Sequence, residues 1–335
     1  MTRLATLACA ALAFVAGAVS WTGASAQAEI RLARQFSMGY LQFNVMEERG
    51  LIEKHARALG VSDVKVSWQA FNSPAAMNDA LLSGSTDIVS GGVPGLLTLW
   101  GRTAGTPQEV RGISALSSQP FLFNTRNPNL KTLADLTDAD RIAVPAVKVS
   151  VQAVVLQMAA AKLFGQGAYD RLDRLTVSMS PPDATTALMG GQISCAFSVP
   201  PFQHQQLESP EVRTLLTSFD VMEGSHTFTV AWTSARFRDK NPVLYKALVA
   251  GIREATDIVN QDRRAAAALW IEHSKSKLPL DMVDKVVSGP NVKWTMVPEN
   301  AMKFAAFMHR VGTLKVEPKS WRDFFFPEVH DLPGS

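Results

Sequence analysis

Polar and aromatic side chains follow each of the first three predicted strands, where α/β proteins commonly bind ligands. These residues are Phe36, Ser37, Met38, Gly39 and Tyr40 after the first strand, Phe71, Asn72 and Ser73 after the second, and Gly91, Gly92 and Val93 after the third. In open α/β sheets, ligands bind beyond the carboxyl ends of the strands. Helix N-termini there offer free backbone N–H groups and a partial positive charge, which suit an anion. The pattern therefore predicts a pocket for a small anion with aromatic walls.

A lysine and a serine stand just before a predicted helix in the middle of the chain. Lys148 and Ser150 precede the apolar repeat of residues 151–164, and the pair would suit a carboxylate or a sulfonate. Other interpretations stay open at this point. Lys148 fits a solvated loop lysine equally well, Phe71 fits core packing, and the two glycines after the third strand could serve only a turn.

The motifs of the common enzyme classes are absent from the sequence. It has no phosphate-binding loop, no dinucleotide fingerprint, no G-x-S-x-G elbow and no H-E-x-x-H. The six histidines lack metal-ligand spacing, so we expect no metal and no cofactor. Cys195 lies within an apolar strand and fits a buried residue better than a nucleophile. These absences make the common hydrolases, dehydrogenases and kinases less favoured, but they do not exclude an enzyme.

Short β-rich runs alternate with helical patterns along most of the chain, which indicates an α/β protein with a mainly parallel sheet. The strands are predicted at 30–35, 64–68, 86–90, 141–145, 175–179 and 195–198. The helices are predicted at 41–59, 73–84, from 94, and at 151–164 and 182–189. Ser73 is the predicted cap of the helix at 73–84. The last third is predicted to form covering helices: one is capped by Asn241, one is capped by Asp262 and one begins near Pro298. The apolar face predicted for the first of these is Leu244, Leu248, Ile252, Ala255 and Val259.

A weak internal repeat divides the chain into two similar parts. Residues 80–87 and residues 187–194 each end a helix on glycine, make a short turn and enter an apolar strand. We interpret this as two lobes of similar construction, although a chance match of so short a pattern is the alternative.

The N-terminus has the three-part layout of a secretory signal peptide. A basic start, an uncharged apolar run over residues 4–19 and an Ala24-Ser25-Ala26 site predict cleavage between Ala26 and Gln27. The alternative is a membrane anchor, but the run is shorter than the span of about 20 residues that a bilayer needs. We expect an exported periplasmic protein that retains Cys195 as its single cysteine.

The amino-acid composition limits the classes of binding partner that we expect. The chain has 335 residues with 33 Lys and Arg against 30 Asp and Glu, a formal net charge of +3. No basic run accompanies this charge, so nucleic-acid binding is not expected. No segment after the signal peptide is apolar and long enough to suggest a membrane span.

The sequence resembles the periplasmic solute-binding proteins of ABC importers, in the nitrate, sulfonate and taurine branch. Residues 49–54 resemble the early G-L-[FI]-E-K helix of that family, and residues 77–92 resemble its A-L-x-x-G-x-x-D segment. Further resemblance lies in residues 130–145, 182–194 and 321–328. No single motif decides the match, but their order and spacing cover nearly all of the chain after the signal peptide.

The resemblance implies the type II periplasmic-binding-protein fold, with two α/β lobes, two crossing strands and a ligand cleft between the lobes. It implies lobe 1 at residues 27–115 and 225–335 and lobe 2 at residues 116–224, with crossings near 112–119 and 217–227. The second-lobe and crossing residues then expected at the ligand are Ser118, Gln119, Lys148, Ser150, Gln152, Phe197, Ser198, Phe202 and His226. Phe197 could equally be core, and a lone histidine such as His226 is more often an ordinary residue.

The resemblance also implies a function. We expect a substrate-binding protein, not an enzyme, that acts as a monomer, captures a small organic anion and delivers it to an ABC permease in the inner membrane. The family often has a Gly-Ser pair and a histidine at residues 146–152 and tryptophan and acidic residues at 194–201, which this chain lacks. The ligand of its well-known members therefore cannot be transferred. The rivals are an enzyme similar to the thiamine-pyrimidine synthases and a periplasmic ligand sensor.

Overall fold

The computed structural model describes residues 28–335, so the predicted signal peptide, its cleavage site after Ala26 and Cys9 lie outside the described residues. The strands are β1 (Ala28–Arg34), β2 (Val64–Ala70), β3 (Ile88–Gly91), β4 (Val110–Ser118), β5 (Leu122–Thr125), β6 (Ile142–Val144), β7 (Thr176–Ser178), β8 (Cys195–Ser198), β9 (Arg213–Thr217), β10 (Thr227–Ser234) and β11 (Lys293–Trp294). The helices are α1 (Leu41–Arg49), α2 (Leu51–Ala58), α3 (Pro74–Ser83), α4 (Val93–Thr103), α5 (Val151–Phe164), α6 (Pro181–Met189), α7 (Phe202–Gln206), α8 (Ser218–Met222), α9 (Ala235–Lys240), α10 (Pro242–Gln261), α11 (Arg263–Ser274), α12 (Leu280–Val287) and α13 (Ala301–Arg310). The α/β class is confirmed.

The strands form two mixed sheets. The first has the order β11-β4-β10-β3-β1-β2 and the second the order β7-β6-β8-β5-β9. The expectation of a mainly parallel sheet is wrong, because β10 pairs antiparallel with β3 and β4, and β5 pairs antiparallel with β8 and β9. The parallel pairs are those of β1 with β2 and β3, and of β6 with β7 and β8. The antiparallel strands lie beside the points where the chain changes sheet.

The chain passes from the first sheet to the second between Ser118 and Leu122 and returns between Thr217 and Thr227. We call the part around the first sheet lobe 1 and the part around the second sheet lobe 2. The exact domain boundaries of residues 27–115, 116–224 and 225–335 remain our proposal.

Serine caps begin three of the helices that matter for the site. Ser73, Ser150 and Ser180 each adopt an extended backbone conformation, and each hydroxyl accepts a hydrogen bond from the backbone N–H three residues later, at 3.3–3.4 Å. The cap at Ser73 and the cap at Asp262 are as predicted. Asn241 was expected to cap α10, but its amide instead donates to the carbonyl oxygen of Phe237 at 3.1 Å.

The long helix predicted at 41–59 is two helices. Gly50 has a φ of +55°, in the left-handed region that ends α1 and starts α2. The two pieces pack on α10, whose buried face includes Leu244, Leu248 and Ile252 as the periodicity predicts. Between residues 28 and 335, no helix is both long and apolar enough to cross a membrane.

Candidate functional site

A small cavity lies between the two lobes at the carboxyl ends of their parallel strands. Its volume is about 20 Å³, enough for about one water molecule. We call it the central cavity; it is lined by Gln35, Phe36, Ser37, Tyr40, Pro74, Gly92 and Phe228 from lobe 1 and by Pro145, Ser150, Val151, Gln152, Pro181 and Val199 from lobe 2. Some of the residues that the strand-end rule names therefore come together at one place in the fold.

Four helices begin at the central cavity. Pro74 is the first residue of α3, Gly92 precedes α4, Val151 is the first residue of α5 and Pro181 is the first residue of α6. All four macrodipoles place their positive ends here, two from each lobe. Such an arrangement stabilises negative charge.

The four helices differ in the hydrogen bonds they can donate. Pro74 and Pro181 have no N–H, so α3 and α6 contribute mainly through their dipoles. In α5 the Ser150 hydroxyl accepts the N–H of Ala153 at 3.3 Å. The N–H groups of Val151 and Gln152 have no partner among residues 28–335, which makes them the donors available to a bound anion.

Three polar side chains complete the cavity wall. Gln152 is 3% exposed, and its amide has no hydrogen-bond partner within the described chain. The Gln35 amide donates to the Tyr40 hydroxyl oxygen at 3.3 Å. Burial raises the pKa of Tyr40 far above its usual value, so the phenol stays neutral and keeps its proton for donation. These groups can donate hydrogen bonds to an anion without adding a full charge.

No charged side chain lines the central cavity in the part of the chain described. Lys148 is exposed on the turn before α5, has a φ of +68°, and does not line the cavity. The charge of Lys148 instead influences Asp173. Burial raises the pKa of Asp173, and the Gln157 hydrogen bond and the Lys148 charge offset part of that rise. Helix termini and neutral donors, rather than a lysine, therefore surround the cavity.

Direct contacts hold the two lobes together beside the cavity. The Ser37 hydroxyl and the Met38 N–H both donate to the Pro200 carbonyl oxygen, at 3.0 and 2.9 Å. Gly92 packs so closely on α5 that a Cβ atom added there would lie 2.5 Å from the Cβ atom of Val151. Glycine at position 92 is therefore needed for the lobes to close.

The loop after β1 is fixed by lobe 1. The Gly39 carbonyl oxygen accepts hydrogen bonds from Ser117 Oγ at 3.2 Å and Thr229 Oγ1 at 2.7 Å. A Cβ atom at Gly39 would lie 2.3 Å from the ring of Phe228, which itself lines the cavity. These contacts position Ser37 and Tyr40 at the cavity wall.

His226 lies at the return crossing, fully buried and away from the central cavity. Its Nδ1 donates to the Thr227 carbonyl oxygen at 2.9 Å, and its Nε2 accepts from the Ser218 hydroxyl at 2.8 Å. The Ser118 hydroxyl donates to the His226 carbonyl oxygen at 2.8 Å. Burial lowers the pKa of His226 to about 4, so the ring is neutral and joins the two crossing segments.

The structure brings only some of the predicted residues to the central cavity. Phe36, Ser37, Tyr40, Gly92, Ser150 and Gln152 line it, whereas Met38, Gly39, Phe71, Asn72, Ser73, Gly91, Val93, Ser118, Gln119, Lys148, Phe197, Ser198, Phe202 and His226 do not. Phe197 is 1% exposed and packs edge-on to Phe121 and Phe123, as core residues do. The roles of all these residues in binding stay predictions.

Sequence reasoning missed several lining residues. Gln35 directly precedes the predicted group after β1, and Pro181 follows a Ser180 cap of the same Ser-Pro type as Ser73-Pro74. That repeated signal could have identified the start of α6. Phe228 and Val199 carried no signal, because each lies in or next to an apolar strand.

Cys195 is fully buried, and its thiol donates to Thr125 Oγ1 at 3.4 Å. Burial raises the pKa of this thiol to about 11, and the expectation that Cys195 is buried is confirmed. Among residues 28–335, no group of three or more His, Cys, Asp or Glu side chains is placed to hold a metal ion.

A family model described as the NMT1-like family matches residues 23–272. The chain belongs to the NMT1-like family. No curated protein matches it by sequence.

Solved structures of similar fold include binding proteins of ABC importers. The alkanesulfonate-binding protein SsuA of Xanthomonas axonopodis pv. citri, bound to MOPS, is 19% identical with a TM-score of 0.67, covering 87% of this chain and 95% of that one. The periplasmic aliphatic sulphonate binding protein SsuA of Escherichia coli is 19% identical with a TM-score of 0.63, covering 89% and 98%. The periplasmic nitrate-binding protein NrtA of Synechocystis PCC 6803 is 17% identical with a TM-score of 0.67, covering 85% and 82%.

These comparisons confirm the periplasmic-binding-protein fold for this NMT1-like protein. The resemblance to the nitrate and sulfonate branch is also confirmed. The structural relatives named above are binding proteins, not enzymes. The ligands in their names are stated for those proteins alone.

Proposed function

We propose that this protein is the substrate-binding component of an ABC importer, which captures a small organic anion with a sulfonate or carboxylate head group between its lobes. The observation that carries this proposal is the start of four helices, two from each lobe, at the central cavity. Their dipoles stabilise negative charge without a charged side chain.

The head group would lie at the start of α5. The N–H groups of Val151 and Gln152 and the side-chain amide of Gln152 are donors without partners in the described chain, and the Tyr40 phenol adds a fourth. A sulfonate or carboxylate accepts several such hydrogen bonds at once. Phe36 and Phe228 would contact the apolar part of the ligand.

Binding requires the lobes to open and close. The central cavity of about 20 Å³ is too small for an organic anion, so the ligand must enter when the lobes are apart. Closure then makes the contacts of Ser37 and Met38 with Pro200, which are absent when the lobes separate. The ligand supplies the differential affinity for the closed form that this cycle needs.

We place the protein in the periplasm after removal of residues 1–26, as a monomer whose partner is a permease in the inner membrane. The lobes of the closed form would present the permease with a surface that the open form lacks. Release of the ligand would follow when the permease separates the lobes.

Two measurements test this proposal. Mass spectrometry of molecules released from the purified, denatured protein should find an organic anion. In a thermal-shift assay, ethanesulfonate or butyrate should stabilise the protein by about 2.7 kcal/mol at a hundredfold excess over Kd, and choline should not. Stabilisation by cationic compounds alone would overturn the proposal.

A further inference from the structure

A second and larger cavity opens beside the central one. It lies at the ends of β1 and β2, has a volume of about 320 Å³, and is bounded by both lobes. Arg34, Asn44, Trp270 and Phe36 line it from lobe 1, and Phe202 lines it from lobe 2. We call it the lateral groove. Its volume is within the range of small-molecule sites, about 300–1,000 Å³.

Asn44 is a buried polar side chain without a partner. It lies on α1, is 5% exposed and lines the lateral groove. Its Oδ1 atom is inaccessible, and neither Oδ1 nor Nδ2 makes a hydrogen bond to any residue between 28 and 335. Leaving such an amide unpaired is unfavourable. The amide can turn either end toward the groove, so it can donate to a ligand or accept from one.

Arg34 provides a second unsatisfied group on the same wall. Its Nη2 lies 2.6 Å from Glu47 Oε2 and 3.0 Å from His273 Nε2, while Nη1 is buried and has no partner in the described chain. The Glu47 carboxylate already balances the charge of the Arg34 guanidinium. A ligand carboxylate in the groove would therefore lie close to the Glu47 carboxylate, and the two like charges would repel each other. A neutral carbonyl oxygen suits the free N–H groups of Nη1 better.

Half of the other lining residues are apolar, and the polar ones are Gln35, Ser37, Gln205, His273, Ser274 and Ser276. Phe36 is 40% exposed, an unusual exposure for a large aromatic side chain, and Trp270, Phe202 and Leu278 line the same groove. A flat apolar group would contact these side chains and remove their surface from water.

We propose that the lateral groove is a binding site for a small neutral molecule that carries an amide on an aromatic ring. The amide carbonyl accepts from Arg34 Nη1, the amide N–H pairs with the Asn44 oxygen, and the ring packs against Trp270 and Phe202. The groove shares Gln35, Phe36 and Ser37 with the central cavity, but Arg34, Asn44, Phe202 and Trp270 line only the groove. A neutral ligand on those four residues goes beyond the proposed capture of an anion.

Benzamide, benzoate and benzylamine are the probes that test the proposal, titrated into the purified protein by calorimetry and protein-observed NMR. Benzamide should bind with a Kd of about 1 mM or below, as expected for a ligand of this size. Benzoate and benzylamine should bind more weakly, because each lacks part of the acceptor and donor pair.

Variants then locate the site. Asn44→Leu and Arg34→Lys should each weaken benzamide binding about fivefold, the effect of one hydrogen bond. Arg31→Lys is the matched control, because Arg31 lies on the same strand but pairs with Asp87 at 2.8 Å. Gln152→Ala, in the central cavity, should also leave benzamide binding unchanged. Phe202→Ala provides a second test from lobe 2 if a lobe 1 variant does not fold.

A benzamide Kd above about 10 mM, far weaker than expected for its size, would overturn the proposal. The same holds if Asn44→Leu, Arg34→Lys and Phe202→Ala all bind it unchanged, or if benzoate binds more tightly than benzamide. None of these results would bear on ethanesulfonate binding at the central cavity, so the two proposals are tested independently.

Discussion

The hydroxyl of Ser37 donates a hydrogen bond to the carbonyl oxygen of Pro200 across the two lobes, over 3.0 Å. Ser37 follows β1 of the first sheet, and Pro200 follows β8 of the second. The Met38 N–H donates to the same oxygen at 2.9 Å. This pair of hydrogen bonds joins the carboxyl ends of the two sheets, and it can form only when the lobes are closed.

Ser37→Ala should therefore weaken ligand binding by shifting the lobes toward the open form. One neutral hydrogen bond contributes about 0.5–1.5 kcal/mol, so the Kd for ethanesulfonate should rise about two- to tenfold. Calorimetry measures this directly, with Ser85→Ala at an exposed position as the matched control. An unchanged Kd in Ser37→Ala would show that this contact does not govern closure.

Gly92→Ala should hinder closure more strongly. Its new Cβ atom would lie 2.5 Å from Val151 Cβ, a contact that the lobes can relieve only by separating. We expect small-angle scattering to show a larger radius of gyration than for the unmodified protein, and ethanesulfonate binding to fall at least about tenfold. Gly167→Ala is the control, because nothing lies within 4 Å of a Cβ atom there. Full closure of Gly92→Ala would contradict the close approach described here.

A comparison of Gln152 with Lys148 decides which group holds the anion. Gln152 lines the central cavity with an unpartnered amide, whereas Lys148 is exposed outside it. Gln152→Ala should raise the Kd for ethanesulfonate about threefold to tenfold, and Lys148→Ala should change it less than twofold. Calorimetry at two salt concentrations separates a direct contact from a distant charge, because salt screens only the latter strongly. If Lys148→Ala raises the Kd for ethanesulfonate more than Gln152→Ala does, then Lys148 rather than Gln152 holds the anion.

The strand-end rule could name some of the residues that line the central cavity, because parallel strands and the helices that follow them have regular geometry. That these residues bind a ligand stays a prediction. Ser73-Pro74 and Ser150 carried local signals of helix starts, and the structure places both helix starts at the cavity. Such signals depend on residues close together in sequence. They could not show which of the side chains after each strand face the other lobe.

Long-range contacts explain what the sequence did not reveal. His226 was expected near the ligand, but its ring is enclosed by Phe219 from the neighbouring helix α8 and by Phe121 and Phe304 from distant parts of the chain. Short strands such as β5 and β11 are stabilised mainly by the neighbours they pair with, and four or two residues carry little pattern of their own. The split of α1 from α2 was missed because apolar spacing continues through Gly50, whose left-handed conformation only the folded chain reveals.

The buried His226 makes the free energy of unfolding depend on pH. Burial lowers the pKa of His226 to about 4 in the folded protein, against 6.5 for an ordinary histidine. The unfolded chain therefore binds more protons between those values, and the folded state loses stability as pH falls from 6.5 toward 4. From pH 7 to pH 5 the loss should be about 2 kcal/mol for this one group.

Urea unfolding at several pH values, followed by circular dichroism, measures that loss. His226→Gln keeps a polar side chain at the crossing but cannot titrate, so its stability should be lower at pH 7 and should fall by about 2 kcal/mol less between pH 7 and pH 5. His204 must be varied in parallel, because burial also lowers its pKa to about 4 and His204→Gln should remove a similar part of the pH dependence. If both substitutions leave the slope unchanged, carboxylates rather than buried histidines set the acid limit. A slope reduced only in His226→Gln would make the crossing, with its Ser218 and Thr227 contacts, the part of the fold that acid weakens first.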